Sequence, residues 1–194
     1  MYKKYYSILA ESKYLFYFTL LLNIIVLFFT KFYPSMDGPA HLYNSNILLY
    51  LLKGNNVLSE FYSINSLPIP NWISHFILLI FQSFLPSWIA EKILLIIYMS
   101  GMALSFRYLI KVLNPKNISL SILIFPFIYS FLFHLGFYNF CLSFILFFAT
   151  LGYWLHSFNS KNTYKHFILF FLITISYFSN LVIFGFLGLT IGLY

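Results

Sequence analysis

The topology of this chain depends on a short apolar stretch, Trp72-Ile-Ser-His-Phe-Ile-Leu-Leu-Ile-Phe-Gln-Ser-Phe-Leu85. A helix that crosses a bilayer needs about 20 apolar residues, and this stretch is shorter than that. It therefore fits a helix that lies in the membrane interface or re-enters on one side. Longer apolar runs flank it, and they cover residues 14–32, 89–113, 118–135, 137–155 and 167–194.

The composition excludes an ordinary water-soluble domain. Of the 194 residues, 61% are hydrophobic, 24% are aromatic and only 8% are charged, whereas a soluble domain carries about 25% charged residues. The sequence therefore predicts an all-α, polytopic integral membrane helical bundle with about five to six transmembrane helices. The number is open because the last run contains Tyr177-Phe178-Ser179-Asn180, where two spans could meet at a short turn.

The basic residues decide between the two topologies. If residues 72–85 crossed the membrane, Arg107, Lys111 and Lys116 would face outward, against the positive-inside rule. If that stretch stays in the interface, the same three residues are cytoplasmic. We therefore predict a cytoplasmic amino terminus and a first outer loop at 33–88 that contains juxtamembrane helices.

The same charge pattern argues against nucleic acid as a partner and for membrane lipid. The net charge of +7 comes from basic residues in short segments between apolar runs, which is typical of membrane topology. The run at 14–32 is too long for a signal peptide and lacks a small-residue cleavage site, so we interpret it as an uncleaved anchor. Cys141 is the single cysteine, and within an apolar run it is predicted to be a small buried hydrophobe.

A polar cluster, Ser35-Met36-Asp37-Gly38-Pro39-Ala40-His41, follows the first apolar run and contains the only aspartate. Pro39 suits the first turn of a helix over 39–53, and Asp37 or Gly38 suits its capping position. On such a helix one side carries four polar residues, Asp37, His41, Asn44 and Ser45. Asp37 and His41 together could share a proton, bind a divalent cation or hold a phosphate; alternatively, Asp37 is only a helix cap.

A second polar cluster, Leu67-Pro-Ile-Pro-Asn-Trp-Ile-Ser-His75, opens the short apolar stretch. Its two prolines prevent a helix before Asn71, which can cap the helix that follows. Asn71 and His75 are again four residues apart, although an interfacial helix start anchored by Trp72 would explain them equally. Lys92, at the outer end of the next long run, can snorkel to headgroups or hold the phosphate of a lipid-linked substrate.

The layout resembles the GT-C class of polytopic glycosyltransferases, which use polyprenyl- or dolichyl-phosphate sugars and include mannosyltransferases and aminoarabinose transferases. Met36 to Tyr43 falls at the acidic motif of their first outer loop, and Pro70 to His75 at the start of a further juxtamembrane helix. The resemblance implies sugar transfer from a polyprenyl-phosphate donor at the outer, periplasmic face of a bacterial inner membrane. It makes Asp37 the catalytic base or a metal ligand for a divalent cation. The substrate-binding residues would be His41, Asn44, Asn71, His75 and Lys92.

Enzymes of this class usually have more spans and a carboxy-terminal region, so we expect residues 1–194 to form a single transmembrane domain from the amino-terminal part of a longer protein. The sequence identifies neither the sugar nor the acceptor. The alternative is a non-enzymatic membrane protein, such as a component of a polysaccharide flippase, polymerase or transporter. Charges at the ends of the runs, rather than at their middles, favour the enzyme.

Overall fold

A computed structural model describes the backbone of residues 2–194 and the side chains of residues 13–194. Within this part of the chain every regular element is a helix, which confirms the all-α prediction. The α-helices are α1 Tyr2–Ile25, α2 Gly38–Leu52, α3 Asn56–Ser59, α4 Ile73–Gln82, α5 Ser87–Leu113, α6 Phe125–Ile128, α7 Phe131–His134, α8 Tyr138–Ser157, α9 Thr163–Ser179 and α10 Leu181–Leu193.

Helices α5 and α8 form the centre of the molecule and pack side by side. With 27 and 20 residues, they are the two helices within residues 13–194 that are long and apolar enough to cross a membrane. Two glycines allow their close approach, since a Cβ on Gly101 would meet Ile145 and one on Gly152 would meet Tyr108. Cys141 of α8 is buried in this core, as predicted.

Helix α4 occupies the stretch on which the topology depends. It has ten residues, so it is about 15 Å long, half of the ~30 Å hydrocarbon thickness of a bilayer. It packs against α2 and α5, with Leu78 fully buried. Its length agrees with the prediction of a helix that does not cross a membrane.

The apolar run at 118–135 differs from a single long helix. Residues Pro115–Ile124 form 3₁₀ turns with a kink at Asn117, whose backbone is not helical, and the short helices α6 and α7 follow them. Pro126 stands in the first turn of α6, where its missing N–H is tolerated. Ser130 then starts α7 by accepting a hydrogen bond from the Phe133 N–H at 3.3 Å. Local capping and proline chemistry therefore divide a run that looks uniform by composition.

The last apolar run is two helices, which confirms one of the two alternatives. Helix α9 ends at Ser179 and α10 begins at Leu181. Between them, the Asn180 side chain accepts hydrogen bonds from the N–H groups of Val182 and Ile183. The break falls at the end of the Tyr177–Asn180 segment.

Candidate functional site

A polar cavity of about 440 Å³ lies among the starts of α2, α4, α8 and α10. Four of the six residues singled out in the sequence lie on its wall, although they come from two segments 30 residues apart. The other wall residues are two asparagines and two phenylalanines. The lining consists of Asp37, His41, Asn71, His75, Phe137, Asn139, Phe140 and Asn180.

The loop that carries Asp37 is fixed by the loop before α8. The Asp37 N–H donates to the Leu135 carbonyl at 2.9 Å, and the Met36 N–H donates to the His134 carbonyl at 3.3 Å. Gly136 has φ +84°, and a Cβ there would stand 2.6 Å from the Gly38 nitrogen. Only glycine fits this close approach in this backbone conformation.

Asp37 stands immediately before α2, which begins at Gly38, one residue earlier than predicted. Asp37 thus occupies the N-cap position, which confirms one of the two predicted capping residues, but its side chain makes no capping hydrogen bond. Instead, Oδ2 lies 3.5 Å from Nε2 of His41, and about half of the Asp37 side chain remains exposed. The carboxylate is therefore available to a ligand in the cavity.

His41 sits in an environment that keeps its ring neutral. Its ring centroid is 4.9 Å from that of His75, and its other side stacks on Tyr138 at 5.2 Å. Burial lowers the pKa of His41 to about 4, assisted by His75 and opposed by Asp37. Burial also lowers the pKa of His75. At pH 7 the His41 ring beside the Asp37 side chain is thus neutral.

The prediction that Asn71 caps the following helix is wrong. Its backbone is left-handed, with φ +67°, a region that asparagine tolerates better than most residues. The helix begins two residues later at Ile73. The Asn71 side-chain oxygen accepts from Asn180 Nδ2 at 3.1 Å, and its carbonyl accepts from Asn139 Nδ2 at 2.8 Å. Asn71 therefore joins separate parts of the cavity wall.

Asn139 supplies the missing cap from another helix. This side chain is 5% exposed, and its Oδ1 accepts from the Ser74 N–H at 2.7 Å. One amide thus pairs with a backbone donor of α4 and a backbone acceptor beside it. The sequence offered only a polar residue in a short loop, because the contact joins positions 65 residues apart.

We expect Asn139→Leu to destabilise the protein by about 2–4 kcal/mol, because it leaves a buried N–H and a carbonyl without partners. Asn139→Asp is the matched variant, since it keeps an acceptor for the Ser74 N–H but loses the donor to Asn71. Thermal unfolding of both variants in detergent is the measurement. We expect the unfolding midpoint of the aspartate variant to lie between those of the wild type and the leucine variant. A leucine variant as stable as the wild type would mean that the two hydrogen bonds of Asn139 do not stabilise the protein.

Two of the predicted substrate-binding residues do not line this cavity. Lys92 is 7% exposed, and its Nζ donates to the Thr30 carbonyl at 2.7 Å. Its ammonium also lies 5.1 Å from the ring of Phe28 and 5.5 Å from that of Trp88. Asn44 lines a neighbouring cavity instead. The spacing of residues along a helix could reveal neither the burial of Lys92 nor the position of Asn44 in another cavity.

Sequence reasoning also missed a buried carboxylate that supports the site. Glu91 is 1% exposed and accepts hydrogen bonds from the Tyr138 hydroxyl at 2.8 Å and the Tyr33 N–H at 3.2 Å. Tyr138 in turn stacks on His41. Glu91 therefore holds the tyrosine against which the His41 ring rests.

The neighbouring cavity, also about 440 Å³, is largely apolar. It shares Asn71 and His75 with the polar cavity, so the two spaces meet at these side chains. It runs between α2 and the segment that precedes α4. Its apolar wall is formed by Ile47, Leu48, Leu51, Tyr62, Ile64, Ile69, Pro70 and Trp72.

The donor set for a metal ion is small. Within residues 13–194, no group of three or more His, Cys, Asp or Glu side chains is placed to hold a metal ion. Asp37 and His41 would supply two ligands, and a third would have to come from substrate or water.

Comparison of the chain with protein-family models, with curated proteins and with solved structures finds no match.

Proposed function

We propose that this chain is a polytopic membrane protein with a cytoplasmic amino terminus and its polar cavity at the outer face. The length of α5 and α8 supports this proposal, as does the low charge content of 8%. Large apolar side chains on several helices are also exposed, including Phe18, Leu21, Phe167, Phe170 and Leu189. Exposed side chains of this size and polarity suit contact with lipid rather than with water.

Cysteine labelling tests this topology. The native Cys141 is buried, so an added surface cysteine reports its own side of the membrane. We expect a membrane-impermeant maleimide to label Ser66→Cys in intact cells, and Lys161→Cys only after permeabilisation. Both positions are exposed in the structure. The opposite labelling pattern would contradict the orientation.

We further propose that the residues of the polar cavity catalyse the transfer of a sugar from a polyprenyl-phosphate donor to an acceptor, as in the GT-C class. The observation that carries this proposal is the meeting of a carboxylate-containing polar cavity with an apolar one at Asn71 and His75. A lipid-linked sugar has the same two parts, a polar head and an apolar chain. Amide and imidazole groups are suitable partners for sugar hydroxyls, because each can donate and accept hydrogen bonds.

In the proposed reaction, Asp37 acts as the general base. It takes the proton of the acceptor hydroxyl while that oxygen forms a bond to the anomeric carbon. The bond from this carbon to the phosphate oxygen breaks, and the polyprenyl phosphate leaves with the electron pair. Attack from the face opposite the phosphate inverts the anomeric centre. The His41 ring is neutral at pH 7, because its pKa is about 4, so it stands beside Asp37 as a hydrogen-bonding group and not as a cation.

The direct test uses the chain reconstituted in lipid vesicles with radiolabelled polyprenyl-phosphate mannose or aminoarabinose. A photoreactive analogue of each donor should crosslink saturably to the walls of the apolar cavity, and unlabelled donor should compete. Release of polyprenyl phosphate, with water in the place of the acceptor, should accompany binding. Absence of saturable crosslinking with both donors would overturn the proposal. Binding without release would favour a non-enzymatic carrier of the same lipid.

A further inference from the structure

Ser74 occupies an unusual position at the start of α4. It is fully buried, and its N–H is held by Asn139. Its Oγ lies 3.3 Å from Nδ1 of His41 and makes no other hydrogen bond within residues 13–194. A buried hydroxyl thus faces one nitrogen of the His41 ring, while Asp37 faces the other.

The direction of the Ser74 hydrogen bond follows from the need to satisfy its proton. A buried donor without an acceptor costs about 1–3 kcal/mol. Nδ1 of His41 is the acceptor within reach, so the hydroxyl donates to it. A neutral imidazole carries one N–H. That proton must then lie on Nε2, the nitrogen 3.5 Å from Oδ2 of Asp37.

We propose that Ser74 is a positioning residue that fixes His41 as the Nε2–H tautomer and thereby directs a hydrogen-bond donor at Asp37. The opposite tautomer would place the Nε2 lone pair against the carboxylate, which is repulsive. An N–H on the nitrogen 3.5 Å from Oδ2 leaves Oδ1 as the oxygen for a reacting hydroxyl. This last step, the use of the oriented carboxylate, rests on the proposed function; the assignment of the tautomer does not.

The test is ¹⁵N NMR of the full chain with labelled histidine, in lipid nanodiscs at pH 7. The His41 signals are assigned by their loss in His41→Gln. In the wild type we expect a protonated Nε2 and an unprotonated Nδ1. A protonated Nδ1 in the wild type would overturn the proposal without any further variant.

Variants then show whether Ser74 is the cause. We expect Ser74→Ala to lose the preference for the Nε2–H tautomer, and Ser74→Thr, which keeps a hydroxyl, to restore it. Ser45→Ala is the control: this buried hydroxyl belongs to the same helix as His41 but donates to backbone carbonyls and Gln82 rather than to the ring. An unchanged tautomer in a folded Ser74→Ala would contradict the assignment. If His41 shows the expected tautomer but the reconstituted chain does not turn over the sugar donor, the role of Ser74 stands and the proposed function is wrong.

Discussion

Asp37→Asn is expected to lower the rate of sugar transfer by about 10²–10⁴-fold, the usual contribution of a general base. An amide has nearly the same shape as the carboxylate but cannot take the proton of the acceptor. The Asp37 side chain is half exposed and makes no capping hydrogen bond, so the unfolding midpoint should stay close to that of the wild type. The measurement is the initial rate of donor consumption in vesicles, together with thermal unfolding.

Glu60→Gln is the matched control for this experiment. Glu60 is an exposed carboxylate in the segment between α3 and α4 and does not line the polar cavity. Like Asp37→Asn, this substitution replaces a carboxylate with an amide. It should leave the rate of donor consumption unchanged. Full activity in Asp37→Asn would rule out the catalytic role. Equal losses in both variants would indicate a general effect of charge on the lipid-linked substrate.

Gly136→Ala is expected to destabilise the protein by about 3 kcal/mol, through backbone strain at positive φ and a steric clash. Gly136 has φ +84°, and its Cβ would stand 2.6 Å from the Gly38 nitrogen and 3.0 Å from that of Asp37. Backbone atoms cannot rotate away as a flexible side chain can. The loop must therefore move, and the bond from the Asp37 N–H to the Leu135 carbonyl lengthens or breaks.

Gly54→Ala separates the two causes. Gly54 has a similar φ of +77°, but its Cβ would meet nothing within 4 Å. This variant carries the strain without the clash and should cost only about 1 kcal/mol. The measurement is the unfolding midpoint of each variant in the same detergent. Equal losses at the two positions would mean that the contact with the Asp37 loop contributes nothing.

Much of the helical architecture follows from local patterns in the sequence. Apolar length alone indicated the cores of α5 and α8, and the shortness of the stretch at 72–85 indicated the short α4. Polar residues inside an apolar run indicated the break at Asn180. The four-residue spacing of Asp37 and His41 correctly placed both on one wall of the cavity. These features depend on neighbours in the chain, which a sequence displays directly.

The contacts that complete the site could not be derived in the same way. The left-handed backbone of Asn71 depends on Asn139 and Asn180, which are more than 60 residues away. Lys92 was expected to face substrate, yet it bonds to a carbonyl at the end of the first apolar run. Ser74 has no distinguishing pattern of its own. Each case is decided by tertiary packing, which local propensity does not specify.

The capping of α4 by a residue of α8 implies an order for biosynthesis. A nascent chain emerges from its amino terminus, so α2 and α4 are made well before Asn139 and Asn180. Until those two asparagines are made, α2 and α4 can pack against each other, but the first turn of α4 lacks the partner of its Ser74 N–H. The wall of the cavity is therefore complete only after Asn180, at the start of α10, has been made. A nascent chain stalled before residue 139 would contain both His41 and His75 but would lack the Asn139 and Asn180 walls of the cavity.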